Sequence, residues 1–158
     1  MRANRPLSLL TAAATLAVAP IALSAQAHAA GSLYVAANGL DTNAGTATAP
    51  LKTVQAAVNK ATPGTTILIG PGTYTGPIRI KTSGTAAAPI RVTALTPGTV
   101  ALTHASKAVS CDNSQPAADR TITIGQGADY WQFDNLAIHN GIWIAGKKSN
   151  IAYGWLTN

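Results

Sequence analysis

The sequence predicts an all-β chain wound as a solenoid of stacked coils, with one short helix. Three observations point there. From Thr65 onward the chain consists of β-branched and aliphatic runs of three or four residues cut by Gly, Pro and Asn, which is the pattern of short strands joined by turns and excludes a helical bundle. Aliphatic positions recur at a fixed step, as in repeat architectures. Only one stretch carries a helical period. With 158 residues, 47% of them apolar and 10% charged, one folded domain is the default, and a disordered or coiled-coil chain is excluded.

Residues 1–29 read as a signal peptide. Arg2 and Arg5 form a basic start, an apolar stretch broken by Pro20 follows, and Ala27-His28-Ala29 supplies the small-x-small pattern of a cleavage site. Cleavage after Ala29 leaves residues 30–158 as the mature domain, expected to be secreted and extracellular. The apolar stretch is too short and proline-broken for a membrane span, and no later run reaches the roughly 18 apolar residues one needs. The mature chain carries nine Lys and Arg against five Asp, with no Glu. This mild positive charge suits an acidic polymer. Nucleic acid is not expected, because the basic residues are scattered and Lys147-Lys148 is the only adjacent pair. Cys111, alone in the chain, has no internal disulfide partner and no motif around it, and reads as a small core residue.

Along the mature domain, residues 33–35 form a short apolar run. Asn38-Gly39, Asp41, Asn43 and Gly45 then make a turn-rich loop. Val54, Ala57, Val58 and Ala61 fall at i, i+3, i+4 and i+7, a helix over 54–61 with Thr53 or its neighbour as its N-cap and Pro63-Gly64 as its stop. Strands are expected at 66–69, 78–80, 90–92, 100–102, 122–124, 130–133, 136–138 and 142–144, and Gly70-Pro71-Gly72 is a corner leading into a further strand. Ile78, Val100, Ile122 and Ile144 are spaced by 22 residues. A step of 20 carries Trp131 onto Ile151, Phe133 onto Tyr153 and Leu136 onto Leu156. Such steps suit coils whose inward aliphatic side chains stack in columns. An antiparallel β-sandwich is the alternative.

The string Leu33-Tyr34-Val35-Ala36-Ala37-Asn38-Gly39-Leu40-Asp41-Thr42-Asn43-Ala44-Gly45-Thr46 resembles the opening of secreted right-handed parallel β-helix proteins. So do Ala49-Pro50-Leu51-Lys52-Thr53-Val54-Gln55-Ala56-Ala57-Val58, Pro63-Gly64-Thr65-Thr66-Ile67 and Gly72-Thr73-Tyr74. The family is the pectate lyase-like superfamily, and the resemblance is closest to family 9 pectate lyases. Gly84-Thr85-Ala86-Ala87-Ala88-Pro89-Ile90 with Thr96-Pro97-Gly98 is also similar to the alginate lyase and chondroitinase B family. The resemblance spans about residues 33–102 and implies that the helix is a lid over the first coil, as a solenoid end requires. About four coils are expected here, whereas family members generally have eight or more. The chain is therefore expected to be an N-terminal fragment, a truncated product, or a protein that self-associates through its open C-terminal end.

The lyases it resembles hold calcium with acidic clusters and use a Lys or Arg to take a proton in a β-elimination on acidic polysaccharide. That implies a polysaccharide lyase, with a non-catalytic glycan-binding β-helix module as the alternative. The catalytic residues of the family sit on central coils, so none is assigned in this chain. Asp41-x-Asn43-x-Gly45 has the oxygen spacing that opens a calcium loop, and Asp41 and Asn43 are the metal candidates, against an ordinary capped turn. Asp134-Asn135 fits a tight turn, with Asn tolerating a left-handed backbone. His104 and His139 have no evident partner. Trp143 lies between Ile142 and Ile144, so if these face inward it faces out. Followed by Lys147 and Lys148, it is the candidate for binding an acidic sugar by stacking plus charge, the other reading being a ring that shields a neighbouring coil.

Overall fold

A computed structural model describes residues 31–105, 120–144, 150–151 and 155–157. The expected leader, Cys111, Lys147, Lys148 and most of the expected C-terminal end lie outside these residues. Twelve strands and one helix follow in chain order: β1 (Ser32–Val35), α1 (Val54–Lys60), β2 (Thr66–Ile69), β3 (Gly72–Thr75), β4 (Ile78–Ile80), β5 (Ile90–Ala94), β6 (Val100–Thr103), β7 (Ile122–Ile124), β8 (Trp131–Asp134), β9 (Ala137–His139), β10 (Ile142–Ile144), β11 (Asn150–Ile151) and β12 (Trp155–Thr157). They form three sheets of orders β1-β2-β5-β8-β11, β3-β6-β9-β12 and β4-β7-β10. From β2 to β10 each coil thus gives one strand to each sheet and moves on, and among the described residues every strand pairing is parallel. A parallel β-helix has this topology, and the antiparallel sandwich is excluded.

Alternation along each strand separates core from surface. Leu33, Ile67, Val92 and Phe133 stand in register in the first sheet. Tyr74, Leu102 and Ile138 do so in the second, and Ile78, Ile122 and Ile142 in the third. Ile67, Val92, Leu102, Ile122 and Ile138 are wholly buried. Trp131 fills the core beside Phe133, and its indole N–H donates to the Thr82 carbonyl at 2.7 Å, which satisfies the one polar atom such a ring buries.

Two expected steps are corrected. Val100 aligns with Gly72, not with Ile78, and Ile122 opposes Ile142 rather than Ile144. Phe133 opposes Ile151 rather than Tyr153, and Leu156 opposes Ile138 rather than Leu136. The Ile122, Phe133 and Leu156 alignments slip by two residues, which keeps the same face inward. Inward parity is therefore legible, while the register depends on how many residues each corner uses. The corner at Asn135 has a φ of 57° and that at Asn140 a φ of 63°, the left-handed backbone that Asn tolerates.

Helix α1 packs on β1, β2 and β4 and buries Val54, Ala57 and Val58, as expected for a lid. The Thr53 hydroxyl caps it, accepting from the Ala56 N–H at 3.1 Å. It ends at Ala61, whose N–H bonds the Val58 carbonyl. The lid also closes a sheet edge. Gln55 accepts from the Arg79 N–H at 2.7 Å and donates to the Arg79 carbonyl at 3.1 Å, so its carboxamide pairs with edge strand β4 as a neighbouring peptide would.

Candidate functional site

The outer face of the five-stranded sheet carries a polar strip. Thr66, Arg91 and Gln132 stand in register across β2, β5 and β8, and Leu68, Thr93 and Asp134 stand beside them. These are the positions between the buried ones, so strand alternation alone presents them. Arg91 and Asp134 are diagonal neighbours within reach of long side chains. The Arg91 Nε donates to Asp134 Oδ2 at 2.6 Å. Asn135 donates to the other carboxylate oxygen at 3.3 Å and to the Thr93 hydroxyl at 3.4 Å. The Asp134 side chain is 7% exposed and that of Arg91 54%. A buried carboxylate therefore holds the guanidinium by its Nε while half of that side chain faces solvent, an arrangement suited to receiving another carboxylate.

The sequence-predicted positions fall elsewhere. Trp143 stands in register with Thr123, and Thr123 with Arg79, on the third sheet. Its side chain, like Lys147 and Lys148, lies outside what the structure describes. Asp41 accepts from the Lys52 N–H at 3.0 Å, the Thr53 N–H at 2.8 Å and the Thr53 hydroxyl at 2.8 Å. Burial alone would raise its carboxyl, but the bonds from Thr53 and Lys52 and the Lys52 charge outweigh it and hold the carboxyl below the ordinary value of 3.8. Asn43 donates to the Pro50 carbonyl at 2.9 Å, and its own carbonyl accepts from Lys60 Nζ at 2.7 Å.

Both residues thus tie the loop to the helix, the capped turn that was the alternative to a calcium loop. Donors crowding Asp41 are the electrostatic opposite of a cation cage. Among the described residues no group of three or more His, Cys, Asp or Glu comes together, and Asp41 with its three donors does not fit calcium.

Asp134 sits at the turn expected of it, but its partnership with Arg91, across 43 residues, was not foreseen. Nor was the Gln55 contact with Arg79. Each residue reads as an ordinary outward or helical position, and only the coil register brings the partners together.

The family model described as "Pel9A-like, right handed beta helix region" matches residues 33–154. Pectate lyase PEL9 of Emericella nidulans is 41% identical over 121 residues, covering 71% of this chain and 28% of that protein. YwoF of Bacillus subtilis, described as uncharacterized, is 47% identical over 58 residues, covering 37% and 12%. Among solved structures, pectate lyase Pel9A superposes with a TM-score of 0.53 at 28% identity, covering 73% of this chain and 30% of that one. A lacto-N-biosidase from Eubacterium ramulus gives 0.55 at 22% identity, covering 78% and 23%, which supports the fold alone. The chain thus spans less than a third of the length of either curated relative. By the family match over most of its length, the chain belongs to the Pel9A-like right-handed β-helix proteins.

Proposed function

We propose that the chain acts outside the cell on an acidic polysaccharide of the pectate type, as part of a polysaccharide lyase that cleaves by β-elimination. The 41% identity to a pectate lyase over these coils carries the reading. The polymer lies along the outer strip of the five-stranded sheet. There Arg91, oriented by Asp134, takes a uronate carboxylate, and Thr66 and Gln132 offer hydrogen bonds to sugar hydroxyls. Pairing the uronate charge acidifies the C–H beside it; a Lys or Arg base elsewhere in the lyase takes that proton, its electron pair forms the C=C bond, and the glycosidic oxygen leaves with the C–O bond electrons and is protonated from solvent. Trp143, on the third sheet, adds stacking, and Lys147 and Lys148 add charge.

A second reading, a non-catalytic module that binds the same polymer, is favoured by the employment of Asp41 and Asp134 in structural bonds. One experiment separates the two: polygalacturonate with added calcium, followed by ultraviolet absorbance and by co-sedimentation. Unsaturated product supports the lyase. Retention without product supports the module, and Trp143→Ala should then weaken it. Neither retention nor product refutes both.

A further inference from the structure

Helix α1 does not meet the first full coil flush. Between it and the corner joining β3 to β4 run two hollows that share Gln55 and Pro77. One, of about 400 Å³, is lined among others by Lys52, Thr53, Thr73, Tyr74 and Thr75. The other, of about 530 Å³, is lined by Gln55, Val58, Asn59, Pro77, Arg79, Lys81 and Thr82. Both have the size of small-ligand sites.

The second hollow is chemically distinctive. Its apolar lining is the exposed Pro77, of the kind on which the C–H face of a sugar ring packs, together with the buried Val58. Its rim holds Arg79 and Lys81, both exposed. Arg79 lies on β4 and Lys81 just beyond its end, on either side of the buried Ile80, which puts their backbones about 7 Å apart. No carboxylate lines the hollow, and among the described residues neither side chain makes an ion pair. Two like charges this close repel unless an anion joins them. The Gln55 carboxamide is already engaged, its oxygen by the Arg79 N–H and its nitrogen by the Arg79 carbonyl and Asn59. In the first hollow the Lys52 charge is offset by Asp41, and Thr73 and Thr75 offer hydroxyls, a lining for an uncharged ring edge.

We infer that the Arg79–Lys81 hollow is a binding subsite for a uronate residue, the adjoining hollow taking the next sugar of the same acidic oligosaccharide. The polymer's identity rests on the function proposed above, but the location does not. This subsite lies at the helical lid, away from the Arg91 strip, and would anchor a polymer while the strip engages another part of it.

The test is a titration of trigalacturonate followed by backbone amide shifts of the protein. Binding at the lid should move the amides of Gln55, Asn59 and residues 79–82. The double variant Arg79→Gln with Lys81→Gln should weaken that site at least tenfold, with Lys81→Gln alone intermediate. Lid shifts absent while the strip responds would overturn the inference. So would equal lid shifts from fully methyl-esterified trigalacturonate, which lacks the charge, or from inorganic phosphate, which lacks the sugar. Lid shifts that persist when the strip is silent would instead count against the Arg91 reading alone.

Discussion

Gln55 is the sharpest test of how the lid seals the solenoid. Its carboxamide makes two hydrogen bonds to the backbone of Arg79, at 2.7 and 3.1 Å, on the strand that ends the third sheet. Gln55→Met keeps the length and helix propensity of the side chain and removes both bonds, together with the exposed bond to Asn59 Oδ1, whose loss at the surface adds little. With each worth about 0.5–1.5 kcal/mol net, the loss should be about 1–3 kcal/mol, towards the lower end where water can reach the edge. Urea unfolding should show a lower midpoint with an unchanged slope, and the Arg79 amide should exchange faster.

Gln55→Glu sharpens the reasoning. It keeps the acceptor for the Arg79 N–H but turns the donor into an oxygen facing a carbonyl. It should therefore fall between the parent and Gln55→Met in the same urea assay. A Gln55→Met protein with unaltered unfolding free energy and unaltered Arg79 exchange would refute edge pairing by the side chain.

Asp41 predicts an acid limb. Its folded-state carboxyl lies below 3.8, so its contribution is present above that value and disappears as pH falls through the lowered one. Asp41→Asn should cost less than about 1 kcal/mol at neutral pH, because the group is exposed, and its stability should converge with that of the parent at the acid end of a pH series. Leu102→Ala removes a wholly buried side chain from the column between Tyr74 and Ile138, and should lower the unfolding free energy by about 2–5 kcal/mol in the same urea assay.

The inward half of the molecule was legible because aliphatic alternation leaves few choices. Ile78 and Ile80, Ile122 and Ile124, Val100 and Leu102 could only face the core, and all are buried. The helix was legible from its period, cap and stop. The coil step was not. Ile78 and Ile122 are 44 residues apart and Ile122 and Ile142 are 20 apart, because corner length varies and leaves no trace in a hydrophobic pattern. A chain with equal corners would have shown one period. Here the 22-residue step placed Val100 in the wrong sheet while still pointing it inward.

That uneven step explains why the outer strip and the lid subsite were hidden. An inward residue meets whatever aliphatic side chain the next coil supplies, so its chemistry is nearly independent of register. An outward residue has specific partners only if the register is right: Arg91 finds Asp134 across 43 residues and Arg79 finds Gln55 across 24. Adding two residues to a corner would preserve the apolar columns and separate such pairs. The core therefore tolerates changes in corner length that would rebuild the surface, and selection on binding must act through corners and outward positions together. On that ground the diagnostic feature for relatives of this chain is a joint one, an Arg and an Asp on adjacent coils together with the corner length that brings them diagonal, rather than either residue alone.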